Sequence, residues 1–76
     1  MRPDTFEFAL YLCRLHRPFR PYTVELMTGD RFVVRHPEAL RFRRKFAIFV
    51  EPDGLRRFFD AESVCQVIEA EVPPQR

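Results

Sequence analysis

Hydrophobic and polar positions along most of this chain alternate with a period of two, the mark of strands with one buried face. Tyr22, Val24 and Leu26 alternate with Thr23, Glu25 and Met27, and Phe32 and Val34 alternate with Arg31, Val33 and Arg35. Thr28-Gly29-Asp30 divides the two runs, and Gly-Asp between alternating segments predicts a hairpin. His36-Pro37-Glu38 ends the second strand, because Pro37 has no N–H to give to a ladder. Ala39–Arg44 reads as a loop or one helical turn. Lys45–Glu51 is a third strand, Pro52-Asp53-Gly54 a turn, and Leu55–Phe59 a fourth strand. After a short turn at Asp60-Ala61-Glu62-Ser63, Val64–Val72 is a fifth strand. A helix over Ala61–Glu71 competes there, since Val64, Val67 and Ile68 also have helical spacing. The β-branched residues favour the strand.

The first sixteen residues differ. Asp4 and Glu7 have the spacing of a capping box, and Thr5–His16 contains no Gly or Pro. Phe8, Leu12 and Leu15 share one helical face, with Phe6, Leu10 and Cys13 beside it. Phe6, Phe8, Leu10 and Leu12 alternate as well, so a strand is the competing reading. The cap, the length and the Arg17-Pro18 stop select a helix over about 5–16. Arg17–Pro21 then reads as a stiff, extended linker, since each Pro bars helix at the residue before it. The expected fold is mostly β with an N-terminal helix: a meander over 22–72, forming a five-stranded, strongly bent antiparallel sheet or small barrel, then a frayed tail at 73–76.

Seventy-six residues make a single domain, 1–76, and a chain this short buries only about 60% of its unfolded surface. Its hydrophobic content is 46%, with nine Phe, more than a lone small barrel easily hides, which implies a subunit contact. The net charge of +2 conceals an uneven distribution. Six Arg or Lys and one acid lie between Arg31 and Lys45, whereas Asp60–Glu71 has four acids and no base. Such a split suits an anionic partner or self-complementary faces. Arg is the base suited to phosphate, although a GC-rich genome gives the same bias. Cys13 and Cys65 fall in no metal or redox motif and sit among apolar residues, which points to free thiols in a reducing cytoplasm. Nothing resembles a signal peptide, and no apolar run approaches the roughly 20 residues that span a bilayer.

The element order, a helix then five strands with a one-turn connection before the last, resembles the Sm-like small β-barrel fold from Asp4 to Glu71, and SH3-like barrels share its size. Gly29 stands where Sm-like chains often carry a glycine after the first strand. The chain is also similar to a set of small bacterial proteins of unknown function. These share a short helix, Arg-Pro-Phe-Arg-Pro-Tyr/Phe, a strand, a Gly turn and Val-x-His-Pro-Glu, here Arg17–Tyr22, Gly29 and Val34–Glu38. That resemblance implies no activity.

Three groups of residues are candidates for chemistry. His36 and Glu38 offer a base and an orienting acid, but no nucleophile, oxyanion hole or metal site completes them, and a strand-ending turn accounts for both. Arg41, Arg43, Arg44 and Lys45, interleaved with Phe42 and Phe46, are the candidate nucleic-acid or anion contact, because single strands are held by cations on phosphate and rings on bases. The competing reading turns Phe42 and Phe46 into the core. Phe58, Phe59, Val64 and Val67, on the fourth and fifth strands, are the candidate oligomer contact through open strand edges. These readings favour a non-enzymatic homo-oligomeric scaffold or protein-interaction module, with an Sm-like RNA-binding module as the alternative. No cofactor, membrane or small-molecule substrate is expected.

Overall fold

The computed structural model describes residues 1–69, and the expected strand end at 70–72 and tail at 73–76 lie outside them. Helix α1 spans Pro3–Arg14 and is followed by six strands: β1 Tyr22–Leu26, β2 Arg31–Val34, β3 Leu40–Arg43, β4 Phe46–Val50, β5 Arg56–Asp60 and β6 Val64–Glu69. Short 3₁₀ turns at Pro37–Ala39 and Ala61–Ser63 precede β3 and β6. The molecule is mostly β with one N-terminal helix, as its hydrophobic pattern predicts.

Two details of the helix differ from the capping expectation. It starts one residue before Asp4, with Arg2 as N-cap and no side-chain cap bond. Pro3 has a φ already suited to the first helical turn, so the helix begins there. Asp4 is drawn inside, where its carboxylate accepts from the Thr5 N–H at 2.9 Å and complements the helix dipole. Glu7 is exposed instead of reaching back. At the other end, Arg17 donates to the carbonyls of Arg14 (2.9 Å) and His16 (3.2 Å), binding the last turn two residues short of the predicted stop. The chain then bends at Arg17 and Pro18 instead of running extended, with a cis bond between them.

The strands form two three-stranded antiparallel sheets, in the orders β2-β1-β6 and β3-β4-β5, not one five-stranded sheet. The meander breaks twice, because β2 does not pair with β3 and β5 does not pair with β6. Each break falls at a 3₁₀ turn. Pro37 starts the first and turns the chain from one sheet to the other, so that Leu40–Arg43, expected as loop, becomes the edge of the second sheet. Asp60–Ser63 does the same in reverse, sending β6 back beside β1. The two glycine turns share one geometry. Gly29 (φ 95) and Gly54 (φ 91) donate to the carbonyls three residues earlier, Leu26 and Glu51, at 2.9 and 2.8 Å. Both lie in the left-handed region that a three-residue hairpin loop demands.

Between the sheets and under the helix lies a core of Phe6, Leu10, Cys13, Tyr22, Val24, Phe32, Val34, Leu40, Ala47, Phe49, Ala61 and Val64. Phe6 meets Phe42 edge-on at 5.1 Å and Phe59 at 6.3 Å. Phe32 of the first sheet stacks on Phe49 of the second at 4.4 Å and touches Phe59 at 5.3 Å. Cys13 is buried as expected, but Cys65 is exposed. The register of β1 on β6 slips between Glu25 and Leu26, leaving Cys65 as the extra residue of a bulge.

Tyr22 is 1% exposed, and its hydroxyl has no hydrogen-bond partner among the described residues. Burial pushes its phenol up to about 12, and burial, followed by the charge of Glu69, pushes the Cys13 thiol up to about 11. Their ordinary values are 10.0 and 9.0. Above those values the unfolded chain gives up protons that the folded chain keeps, so stability falls as pH rises through both windows. Melting temperature is therefore expected to be level from neutral pH to about pH 9 and to drop towards pH 12. Tyr22→Phe should flatten the drop above pH 10 and should not destabilise the protein at neutral pH, since it removes an unpaired buried hydroxyl. A loss of more than about 1 kcal/mol at neutral pH in a denaturant titration of Tyr22→Phe would show that the hydroxyl is bonded.

Candidate functional site

In β3, β4 and β5 alternate side chains point to opposite faces of the sheet. Leu40 and Phe42 on β3, Ala47 and Phe49 on β4, and Phe59 on β5 face the core. The other set forms the outer face. Register places Arg41 beside Ile48 and Ile48 beside Phe58, Arg43 beside Phe46 and Phe46 beside Asp60, and Val50 beside Arg56. The outer face is thus an apolar stripe of Phe46, Ile48, Val50 and Phe58, with arginines on both sides.

Phe58 is 59% exposed and Phe46 40%. They occupy diagonal sites on neighbouring strands, about 7–8 Å apart by sheet geometry. The Arg56 guanidinium lies over the Phe58 ring, 5.5 Å from its centroid. Arg41, Arg43, Arg44, Lys45 and Arg56 make no ion pair among the described residues. Arg57, one residue from Arg56 but on the opposite face, is paired with Glu51, and that bond holds its guanidinium pKa above the ordinary value. Asp60 and Glu62 lie at one corner beside Lys45 and Pro3.

Arg44 and Lys45 form the two-residue turn between β3 and β4, where Arg44 has φ 57. A non-glycine residue in the left-handed region carries about 1 kcal/mol of strain. This turn also decides which face Phe46 takes. Because Arg43 pairs with Phe46, Phe46 shares the outer face of Arg43, while Phe42 pairs with Ala47 and packs against Phe6. The reading that turns both rings into the core therefore holds for Phe42 alone. The four predicted bases are together on one hairpin: Arg41 and Arg43 on its outer face, Arg44 and Lys45 at its tip.

Of the four predicted oligomer contacts, Val64 is fully buried, and Phe59 and Val67 are partly buried against the core. Phe58 alone is exposed. The edge of β5 is nevertheless open. Ala61 donates to the Lys45 carbonyl and Glu51 to the Leu55 carbonyl, both at 2.8 Å. The alternation of antiparallel bonds then turns the backbone groups of Arg56 and Phe58 away from β4.

A second surface, which sequence reasoning left undecided, is the helix. Phe6, Leu10 and Cys13 are buried, and the opposite face carries Phe8, Tyr11, Leu12 and Leu15, exposed by 60, 56, 43 and 53%. Phe8 and Tyr11 stack, with ring centroids 6.2 Å apart. The Phe8/Leu12/Leu15 spacing was visible in the sequence, but two apolar faces of similar width gave no sign of which one the sheets would take. Beside the stripe, a groove of about 520 Å³ runs between Asp4, Glu7, Tyr11, Arg14 and Phe42. Arg14 closes its floor by donating to the Leu40 carbonyl at 2.6 Å.

His36 and Glu38 border a groove of about 500 Å³ with Val33, Phe49 and Pro52. Among the described residues, no hydrogen bond joins them and no three His, Cys, Asp or Glu side chains converge as metal ligands. His16, by contrast, meets Glu69 at 2.6 Å, fastening the end of the helix to β6. No helix among the described residues is long and apolar enough to cross a membrane. In comparison with known proteins, the chain matches no family model, no curated protein and no solved structure.

Replacing Arg44 by glycine is expected to relieve the strained turn without touching the core. Arg44→Gly should raise the melting temperature by several degrees, since about 1 kcal/mol moves a domain of this size by roughly 4–8 °C. A lower melting temperature would mean that the arginine side chain holds the turn.

Proposed function

We propose that this chain is a non-enzymatic interaction module that works as a homo-oligomer, with the outward face of α1 as its contact with a second copy. The observation that carries this reading is the stripe Phe8, Tyr11, Leu12 and Leu15, four large apolar side chains left in solvent directly opposite the buried face. A helix apolar on both faces belongs between two layers, and only one layer is present in a single copy.

The stripe suits a second copy of itself. Its spacing of three, one and three residues reads the same in both directions. A two-fold axis between Tyr11 and Leu12 would set Phe8 of one copy against Leu15 of the other in an antiparallel pair, and each Tyr11 against a Leu12. Such isologous contacts are the commonest way for a chain to self-associate. Charge favours the same orientation. Antiparallel copies oppose their helix dipoles and bring the exposed Glu7 of each towards Arg17 and Arg20 of the other.

The strand orders β2-β1-β6 and β3-β4-β5, with a 3₁₀ turn leading into the last strand, support reading the two packed sheets as a small barrel of the Sm-like or SH3-like kind. In that reading the barrel is a rigid base that presents the helix on one side.

Sedimentation velocity from micromolar to millimolar concentration tests the proposal. The unmodified chain should shift from monomer to dimer, and Leu12→Glu should remain monomeric with an unchanged circular dichroism spectrum. Phe58→Glu, on the open β5 edge, should leave the dimer intact. A chain that stays monomeric to millimolar concentration, or a dimer that Phe58→Glu abolishes and Leu12→Glu does not, would overturn it.

A further inference from the structure

We infer that the outer face of β3-β4-β5 is a binding platform for single-stranded nucleic acid, with Phe46 and Phe58 as stacking surfaces and Arg41, Arg43, Arg44, Lys45 and Arg56 as phosphate contacts. The site is independent of the helix contact. Phe6 of α1 packs on Phe42 and Phe59 from the core side of the same sheet, so the platform looks away from the helix.

Three features of the face choose this ligand. The first is its mixture of side chains. A single strand offers an apolar ring and a negative charge at every nucleotide, and proteins that hold it combine exposed aromatic rings with a basic groove. Phe46 and Phe58 are exposed on adjacent strands at diagonal sites, and the bases flank them on β3, on the hairpin tip and on β5.

The second is the state of the charges. Arg31 and Arg57, elsewhere on the sheets, are each paired with a glutamate, whereas the five bases of this face have no ion-pair partner among the described residues. Five like charges on one small hairpin and its neighbouring strand repel one another, and an anion placed among them lowers that repulsion. Asp60, beside Phe46 on the same face, and Glu62 at its corner offset part of this charge, and an excess of three positive charges remains.

The third is geometry. Arg56 holds its guanidinium over the Phe58 ring, 5.5 Å from the centroid, and Phe58 is still 59% exposed, so a base stacked there would sit beside a cation. A duplex would bring only its phosphates to this flat surface, because its bases are stacked on one another. A single strand can splay its bases onto the rings. An acidic peptide would satisfy the arginines and leave the rings without a role.

The test is fluorescence anisotropy with a labelled oligouridine of about 12 nucleotides, the matching duplex, and polyaspartate as competitor, at ~50 mM salt, where phosphate contacts are strong. The expected result is preferential binding of the single strand, with a log–log salt slope near 3 if four or five phosphates are engaged at about 0.7 each. Phe58→Ala should weaken binding about tenfold and leave the salt slope unchanged, as removing one stacking surface does. Arg43→Glu should weaken binding and lower the slope. Both side chains are exposed, so each variant should keep the circular dichroism spectrum of the parent. Leu12→Glu, which removes the proposed helix contact, should still bind, so failure of one proposal is distinguishable from failure of the other. Absence of binding by the unmodified chain would overturn the inference. So would equal displacement by polyaspartate with no effect of Phe58→Ala, which would make the face a site for acidic protein segments.

Discussion

Phe42, Phe6, Phe59, Phe32 and Phe49 touch in that order, with centroids between 4.4 and 6.3 Å apart, and together they join the helix to both sheets. The first sheet enters this chain of rings through Phe32 alone, the second through three rings, and the helix through one. Burying a phenylalanine contributes about 1.5–3 kcal/mol, and a well-placed aromatic pair about 0.5–1.5 more. Domains of this size have only a few kcal/mol of net stability, so the ring cluster decides whether the sheets stay together. Hydrogen bonds help at the margins: the terminal amine of Met1 donates to the Val64 carbonyl at 2.7 Å, and Met27 N–H to that of Ser63 at 2.7 Å. They fix ends, whereas the rings fix layers.

Commitment of these residues to the interior determines what is left outside. Strand alternation means that turning Phe42, Ala47 and Phe59 inward turns Arg41, Arg43, Phe46 and Phe58 outward. On the helix, seating Phe6, Leu10 and Cys13 turns Phe8, Tyr11, Leu12 and Leu15 to solvent. Both exposed surfaces follow from one packing choice, and they lie on opposite sides of the second sheet. A small chain rich in phenylalanine is thereby left with two faces that a single copy cannot cover.

Much of this was legible beforehand. The helix, the two glycine turns, the Pro37 break and the strand character of Val64–Glu69 follow from local chemistry: Gly at positive φ, Pro without a donor, β-branched residues in succession. What was not legible depended on contacts distant in sequence. Leu40–Arg43 has too few apolar residues to announce a strand, and it becomes one because β4 supplies its partner. The division into two sheets depends on where Pro37–Ala39 and Ala61–Ser63 redirect the chain, and neither segment encodes a direction. Sequence leaves Phe42 and Phe46 open between a core and a surface role, and only the two-residue length of the Arg44-Lys45 turn separates them, placing Phe46 on the other face. Val64 was read as an edge contact, yet its position directly after the 3₁₀ turn carries it under the helix. The choice between two apolar helix faces depended on the ring cluster, in which Phe6 fits between Phe42 and Phe59.

In the proposed dimer the helix is held from one side by the ring cluster and would be covered on the other by a second copy. The most direct measurement is an isotope-filtered nuclear Overhauser experiment on an equimolar mixture of labelled and unlabelled chain at high concentration. The account predicts intermolecular contacts between the Phe8 ring of one copy and the Leu15 methyl groups of the other, alongside intramolecular contacts from Phe6 to Phe42 and Phe59. Intermolecular contacts confined to Phe58 and the β5 edge, or a Phe6 ring in contact with a second copy instead of its own sheets, would contradict it.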